Sequence, residues 1–125
     1  MQHGFNAYAS AAKTAQSTVS PRELEASLLI KAATRLQALV DDWSRPDLNR
    51  ELDEALSYNR KLWTLLVSAI IAEDNPLPVE IKRNVLSLAN FVFNHTFRIA
   101  AAPNPASLDS LISINRDLAI GLRGR

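Results

Sequence analysis

The sequence contains no cysteine. That absence removes disulfides, thiolate nucleophiles and cysteine-ligated zinc together, and it fits a reducing compartment such as the cytoplasm. Glycine is almost as scarce, with three in all: Gly4, Gly121 and Gly124. Tight hairpin turns need residues that accept positive φ, so a chain without interior glycine is poorly equipped for β-hairpins. It also has no glycine-rich loop to cradle a phosphate. Charge of one sign is missing too: 14 Lys and Arg against 13 Asp and Glu leave a net charge of +1. A nucleic-acid binder advertises itself by a basic excess, so direct RNA binding is not expected. Nor is there a long apolar run. The longest, "LLVSAIIA", is interrupted by Ser68 and falls far short of the ~20 residues that span a bilayer. The opening "MQHGFNAYASAAK" lacks the charged and apolar regions of a secretory signal. Cytoplasmic localisation without membrane insertion is therefore the expectation.

What is present is helix. With 125 residues, 47% hydrophobic and 22% charged, the chain has the length and composition of one globular domain spanning residues 1–125. The prolines fall at Pro21, Pro46, Pro76 with Pro78, and Pro103 with Pro105. Between them lie segments of helical length with a 3.6-residue apolar period. In "SPRELE", Ser20 suits an N-cap, Pro21 the first helical position and Glu23 the third, the pattern of a capping box. That first helix carries Leu24, Leu28, Ala32, Leu36, Leu39 and Trp43 inward and is predicted to end near Arg45, before Pro46. Asp47 is predicted to cap a second helix reaching about Glu73, with Leu48, Leu52, Leu56, Trp63, Leu66 and Ile70 on one face. Pro78 opens a third, with Ile81, Val85, Leu88, Val92, Thr96 and Ile99 inward and Phe91, Phe93 and Phe97 widening that face. A fourth runs from about Ser107 to Leu122. Short connections favour antiparallel neighbours. The expected fold is all-α: an up-down bundle of four main helices over residues 20–122, with residues 1–19 as an arm or short extra helix.

Two apolar stripes are broken by an amide. In "LSYNRKLW" Asn59 sits among the leucines and Trp63. In "LISINRDLAIGL" Asn115 lies in the middle of Leu108, Leu111, Leu118, Ala119 and Leu122, with Ile112 and Ile114 at the margins. A buried amide without partners costs about 1–3 kcal/mol. Either the two asparagines are satisfied inside the core, by each other, by a side chain or by a backbone carbonyl, or they bond the backbone of an incoming segment. In the second case Trp63 and the leucines would be its apolar anchors. Trp43 and Trp63 read as core residues with interface as the alternative. Arg60 and Arg116 each follow a stripe asparagine, and arginine is a frequent hot-spot residue.

Catalytic chemistry has no foothold in this pattern. His95 falls near the inner face of its helix and His3 in the N-terminal tail, which makes no metal site. The carboxylates of "ELDEA" read as a solvated helix face, because no apolar surroundings would separate their pKa values. The serines lack a general base, and no HExxH or nucleophile-elbow pattern occurs. Arg116, Arg123 and Arg125 suit the C-terminal end of a helix dipole. No enzyme activity and no cofactor are expected.

Several stretches resemble the flagellar biosynthesis regulator FlaF family: "NAYASAAKTAQSTVSPRELEASLLIKAATRL", "ALSYNRKLWTLLVSAI", "NPLPVEIKRNV" and "LISINRDLAIGLRG". The likeness extends over nearly the whole chain, and "NRKLW" and "INRDL" are its most specific parts. A second, shorter likeness relates Asn6, Tyr8, Thr18, Ser20, Pro21, Glu23, Leu24 and Leu28 to the opening of the flagellin export chaperone FliS. Those chaperones are helical bundles that wrap the C-terminal segment of flagellin. The resemblance implies a flagellin-binding chaperone or secretion factor that needs no cofactor. In that role Tyr8, Leu62, Trp63, Ile114 and Leu118 would anchor the client, and Asn59, Arg60 and Asn115 would orient it. It equally implies a link with the partner regulator FlbT, so control of flagellin synthesis through FlbT or flagellin mRNA stands as the alternative. The N-terminal arm, with Phe5 and Tyr8, is a candidate cover for the client groove.

Overall fold

A computed structural model describes residues 20–124, and among them there are four α-helices, one 3₁₀ turn and no strand. The helices are α1 (Pro21–Asp41), α2 (Leu48–Ile71), α3 (Val79–Ala101) and α4 (Asp109–Arg123), packed antiparallel as expected. Tyr8 and the rest of the N-terminal arm lie outside the described residues.

Ser20 caps α1 as the sequence predicts. Its Oγ accepts a hydrogen bond from the Glu23 N–H at 3.1 Å, and Pro21 occupies the first turn. Removing that acceptor orphans a helix N–H, so Ser20→Ala is expected to cost about 1 kcal/mol, read as a fall of a few degrees in Tm. At the other end α1 stops at Asp41, four residues short of Arg45. The Asp42 N–H turns back to the Leu39 carbonyl at 3.2 Å. Pro46 is not the cause. Asp41 and Asp42 place negative charge on the negative end of the helix dipole, and aspartate competes for backbone bonds, so the helix unwinds before proline can act.

Asp47 occupies the N-cap position of α2 without capping it. Its carboxylate instead accepts from Arg45 Nε at 2.6 Å and from Arg50 Nη2 at 3.2 Å. The Arg45 hydrogen bond holds the Asp47 carboxyl below its ordinary pKa and raises that of Arg45. Whatever Asp47 contributes is therefore complete above the normal carboxylate range and is lost as pH falls through its lowered value. The helix ends at Ile71, two residues before Glu73. Beyond it Asn75 organises the loop: its Nδ2 donates to the Ala69 carbonyl at 2.9 Å, and its Oδ1 accepts from the Leu77 N–H at 3.0 Å.

The neighbours of each helix decide which side chains are covered. α1 packs most extensively on α4 and also on α2, while α3 makes its close approach to α2. The helices therefore run α4, α1, α2, α3 in space, and the seam between α3 and α4 is the loosest. Because two helices press on α1, its buried arc is centred on Ala26, Leu29, Ala32, Ala33, Leu36 and Leu39. Leu24, Leu28 and Trp43, expected inside, are half-buried. The small alanines allow close helix approach. In α3 the inner face is Val85, Ala89, Val92, Thr96 and Ile99, and the Thr96 hydroxyl donates to the Val92 carbonyl at 2.6 Å. Phe91 and Phe97 do not widen it: they are 39% and 78% exposed, and only Phe93 is half-buried. Among the described residues α3 has one close helix neighbour, and no described helix lies over its outer aromatics.

The last segment enters through a 3₁₀ turn, Pro105–Leu108, in which Asn104 Oδ1 accepts from the Ala106 N–H at 2.9 Å. α4 thus starts two residues later than Ser107. Its far end is pinned to the start of α1, where Arg123 Nε reaches both Glu23 carboxylate oxygens at 3.0 and 3.1 Å. Ile112, placed at the margin by the helical wheel, is buried, whereas Leu118 and Leu122 are half-buried. The rotation follows from packing on α1: the Ile112 side is covered, and the Leu118 side faces the looser seam.

Candidate functional site

Asn59 and Asn115 are both fully buried, as is Trp63. Asn115 Nδ2 donates to Asn59 Oδ1 at 2.6 Å, and Trp63 Nε1 donates to Asn115 Oδ1 at 2.9 Å. This three-member chain crosses the core from α2 to α4, two helices that each pack more closely on α1 than on one another. Each amide lies at the helical position that reaches the centre, so turning either helix by one residue would break both bonds. Among the described residues only Asn59 Nδ2 is a buried side-chain N or O atom without a hydrogen-bond partner. Of the two readings for the amides, the structure places them in bonds within the core. In the closed bundle neither can reach an incoming segment.

The other residues singled out for partner binding fall in separate places. Leu62 is buried at 5% exposure, while Arg60 and Arg116 are exposed. Ile114 and Leu118 are half-buried and stand together on the wall of a slot. The expected set thus divides into the buried Asn59, Leu62, Trp63 and Asn115, the exposed Arg60, and the half-buried Ile114 and Leu118. His95 belongs to none of these. Its Nε2 lies 2.7 Å from the Ser107 carbonyl, and its ring stacks on Phe91 with centroids 5.0 Å apart. It ties α3 to the 3₁₀ turn. No three His, Asp or Glu side chains converge on a metal-sized site among the described residues.

The slot opens at the α3–α4 seam and has a volume of about 380 Å³. Leu66 and Ile70 of α2 line it, with Leu77 from the loop that Asn75 holds. Ile81, Val85 and Leu88 of α3 form one wall, and Ile114, Leu118, Gly121 and Leu122 of α4 form the other. Glu25, Asn75, Asn84 and Asp117 supply its polar lining. A second cleft, lined by Ser20, Pro21, Arg22 and Arg123 among others, shares Glu25, Asn75, Leu77 and Leu122 with it. The two form one channel beside the point where the described chain begins. An apolar trough between helices with a polar edge can take up the apolar face of another polypeptide.

Most of these wall residues were legible only as core. Ile81, Val85 and Leu88 carry an inward helical period, and nothing local says that their partner helix stands off. Leu77, an apolar residue between Pro76 and Pro78 in a polar loop, was the one local hint of a slot.

Compared with known protein families, residues 5–122 match the family model described as Flagellar protein FlaF. No curated protein and no solved structure matches the chain. Among the described residues no helix is long and apolar enough to cross a membrane.

Proposed function

Because the chain belongs to the flagellar protein FlaF family, we propose that it is a cytoplasmic flagellin-binding chaperone or secretion factor. It takes an amphipathic terminal segment of flagellin into the slot between α3 and α4. The observation that carries this reading is the slot itself: leucines and isoleucines of three helices left open to one side, beside half-buried Ile114 and Leu118. Apolar side chains so placed gain roughly 25 cal/mol for each Å² a client covers. Covering the client's own apolar face at the same time would keep it from premature association. Binding of this kind needs neither catalysis nor a cofactor.

Ile114 and Leu118 are the client anchors in this reading. Asn59, Asn115 and Trp63 act one step removed, by holding α4 at the rotation that turns those anchors outward. Calorimetry with full-length flagellin and with flagellin lacking its terminal segments tests the proposal. Association with the full-length protein alone is the expected result. Association with FlbT, or with flagellin leader RNA in a manner that weakens steeply with salt, but with neither form of flagellin, would make the chain a regulator of flagellin synthesis instead.

A further inference from the structure

Among the described residues nothing requires a glycine at position 121. Gly121 lies in the last turn of α4, no glycine among the described residues has positive φ, and a Cβ built there would meet none of the described residues within 4 Å. A helix-interior glycine is less stable than alanine because it loses more backbone entropy on folding. Here nothing among the described residues offsets that loss. The bare position opens on the slot between Leu118 and Leu122, where the missing side chain lets a second backbone approach closely.

The walls of the slot define the form of the occupant. They are helices, whose backbone N–H and C=O groups are already bonded within themselves. An extended segment pressed against them would leave its own backbone groups unpaired, whereas a helix brings its hydrogen bonds with it. The lining residues Ile114 to Leu122 of α4 cover about 12 Å at 1.5 Å per residue, room for two to three turns. Charge sets the flank at the α4 wall: Asp117 is the carboxylate between Ile114 and Leu118, while the cations Arg22 and Arg123 line only the adjoining cleft.

We infer that the slot takes an amphipathic helix of the client, crossing α4 at Gly121 through a small residue and setting a lysine or arginine against Asp117. The inference rests on the slot being the client site and adds the conformation, crossing point and charge of what enters it.

The test uses the full chain, full-length flagellin, and synthetic peptides covering the flagellin termini. Gly121→Ala should raise Tm by about 3 °C through helix propensity and yet weaken flagellin binding about tenfold. Gly121→Leu should weaken it a hundredfold or more. Asp117→Asn should reduce affinity about threefold and flatten its salt dependence. The bound peptide should gain helical circular dichroism. If Gly121→Ala binds as well as wild type, or the peptide binds without gaining helix, the helix crossing is wrong, even where Leu118→Glu abolishes binding and so upholds the slot. If Leu118→Glu is also without effect, the slot is not the client site at all. If Gly121→Leu converts a dimer of the free protein to monomer, the occupant is a second copy and the inference is overturned.

Discussion

Asn115→Ala is expected to lower the unfolding free energy by about 3–5 kcal/mol, the largest loss from any single polar side chain in this protein. Asn115 serves two partners at once, accepting from Trp63 Nε1 and donating to Asn59 Oδ1. Its removal leaves the indole N–H and the Asn59 carbonyl buried and unpaired, each at about 1–3 kcal/mol, and adds a small cavity. Asn59→Ala should cost less, about 2 kcal/mol, because Asn59 makes one of these bonds and carries the Nδ2 that already has no partner. Urea unfolding followed by tryptophan fluorescence measures both. The order matters as much as the size. Equal losses, or losses below 1 kcal/mol for both variants, would mean that the relay is not the core's polar lock. Trp63→Phe deletes one donor and should fall below Asn115→Ala for the same reason.

Leu118→Glu is the second large effect, and it should appear in binding. The substitution puts a carboxylate on the apolar wall of the slot, next to Asp117 in sequence, in a lining that also includes Leu88 and Val85. A client's apolar face would then have to desolvate a charge, so association with flagellin should weaken by a hundredfold or more. The free protein should keep its helical circular dichroism, because Leu118 is only half-buried and its carboxylate can turn to solvent at the open seam. Asp53→Ala, at an exposed position on the solvated face of α2, is the matching control and should leave both fold and affinity within about twofold. A Leu118→Glu variant that binds flagellin normally while folding normally would remove the slot from the mechanism.

These two predictions concern opposite ends of one device. The polar relay fixes the rotation of α4 against α2, and that rotation decides which α4 side chains face α1 and which face the seam. A sequence with leucine at both amides would bury more apolar surface yet allow neighbouring rotations of similar energy. Specificity of arrangement is the best-attested use of a buried polar pair. Here that arrangement places Ile112 inside and Leu118 at the slot.

Part of this was readable from single residues. Ser20, Pro21 and Glu23 marked the start of α1 because capping is local chemistry, satisfied within one turn. Asn59 and Asn115 stood out because each broke a 3.6-residue apolar period, and their mutual bond was one of the solutions the chain allowed. Local chemistry also misled. Asp47 has the right identity for a cap, but two arginines within three residues take its carboxylate. Pro46 marks a break that the acidic end of α1 had already made.

Helix number, approximate helix limits and the apolar faces follow from the order of residues, because propensity, capping and periodicity act within a few positions of each other. Which faces would be covered does not follow from it. A helical wheel shows the width of an apolar arc and says nothing about how many neighbours will lie on it. Only the packing of α4 on α1 and of α3 on α2 left the α3–α4 seam open. That choice exposed Phe91 and Phe97, sealed Trp63, and turned Ile114, Leu118 and Gly121 from ordinary helix positions into the wall of a slot.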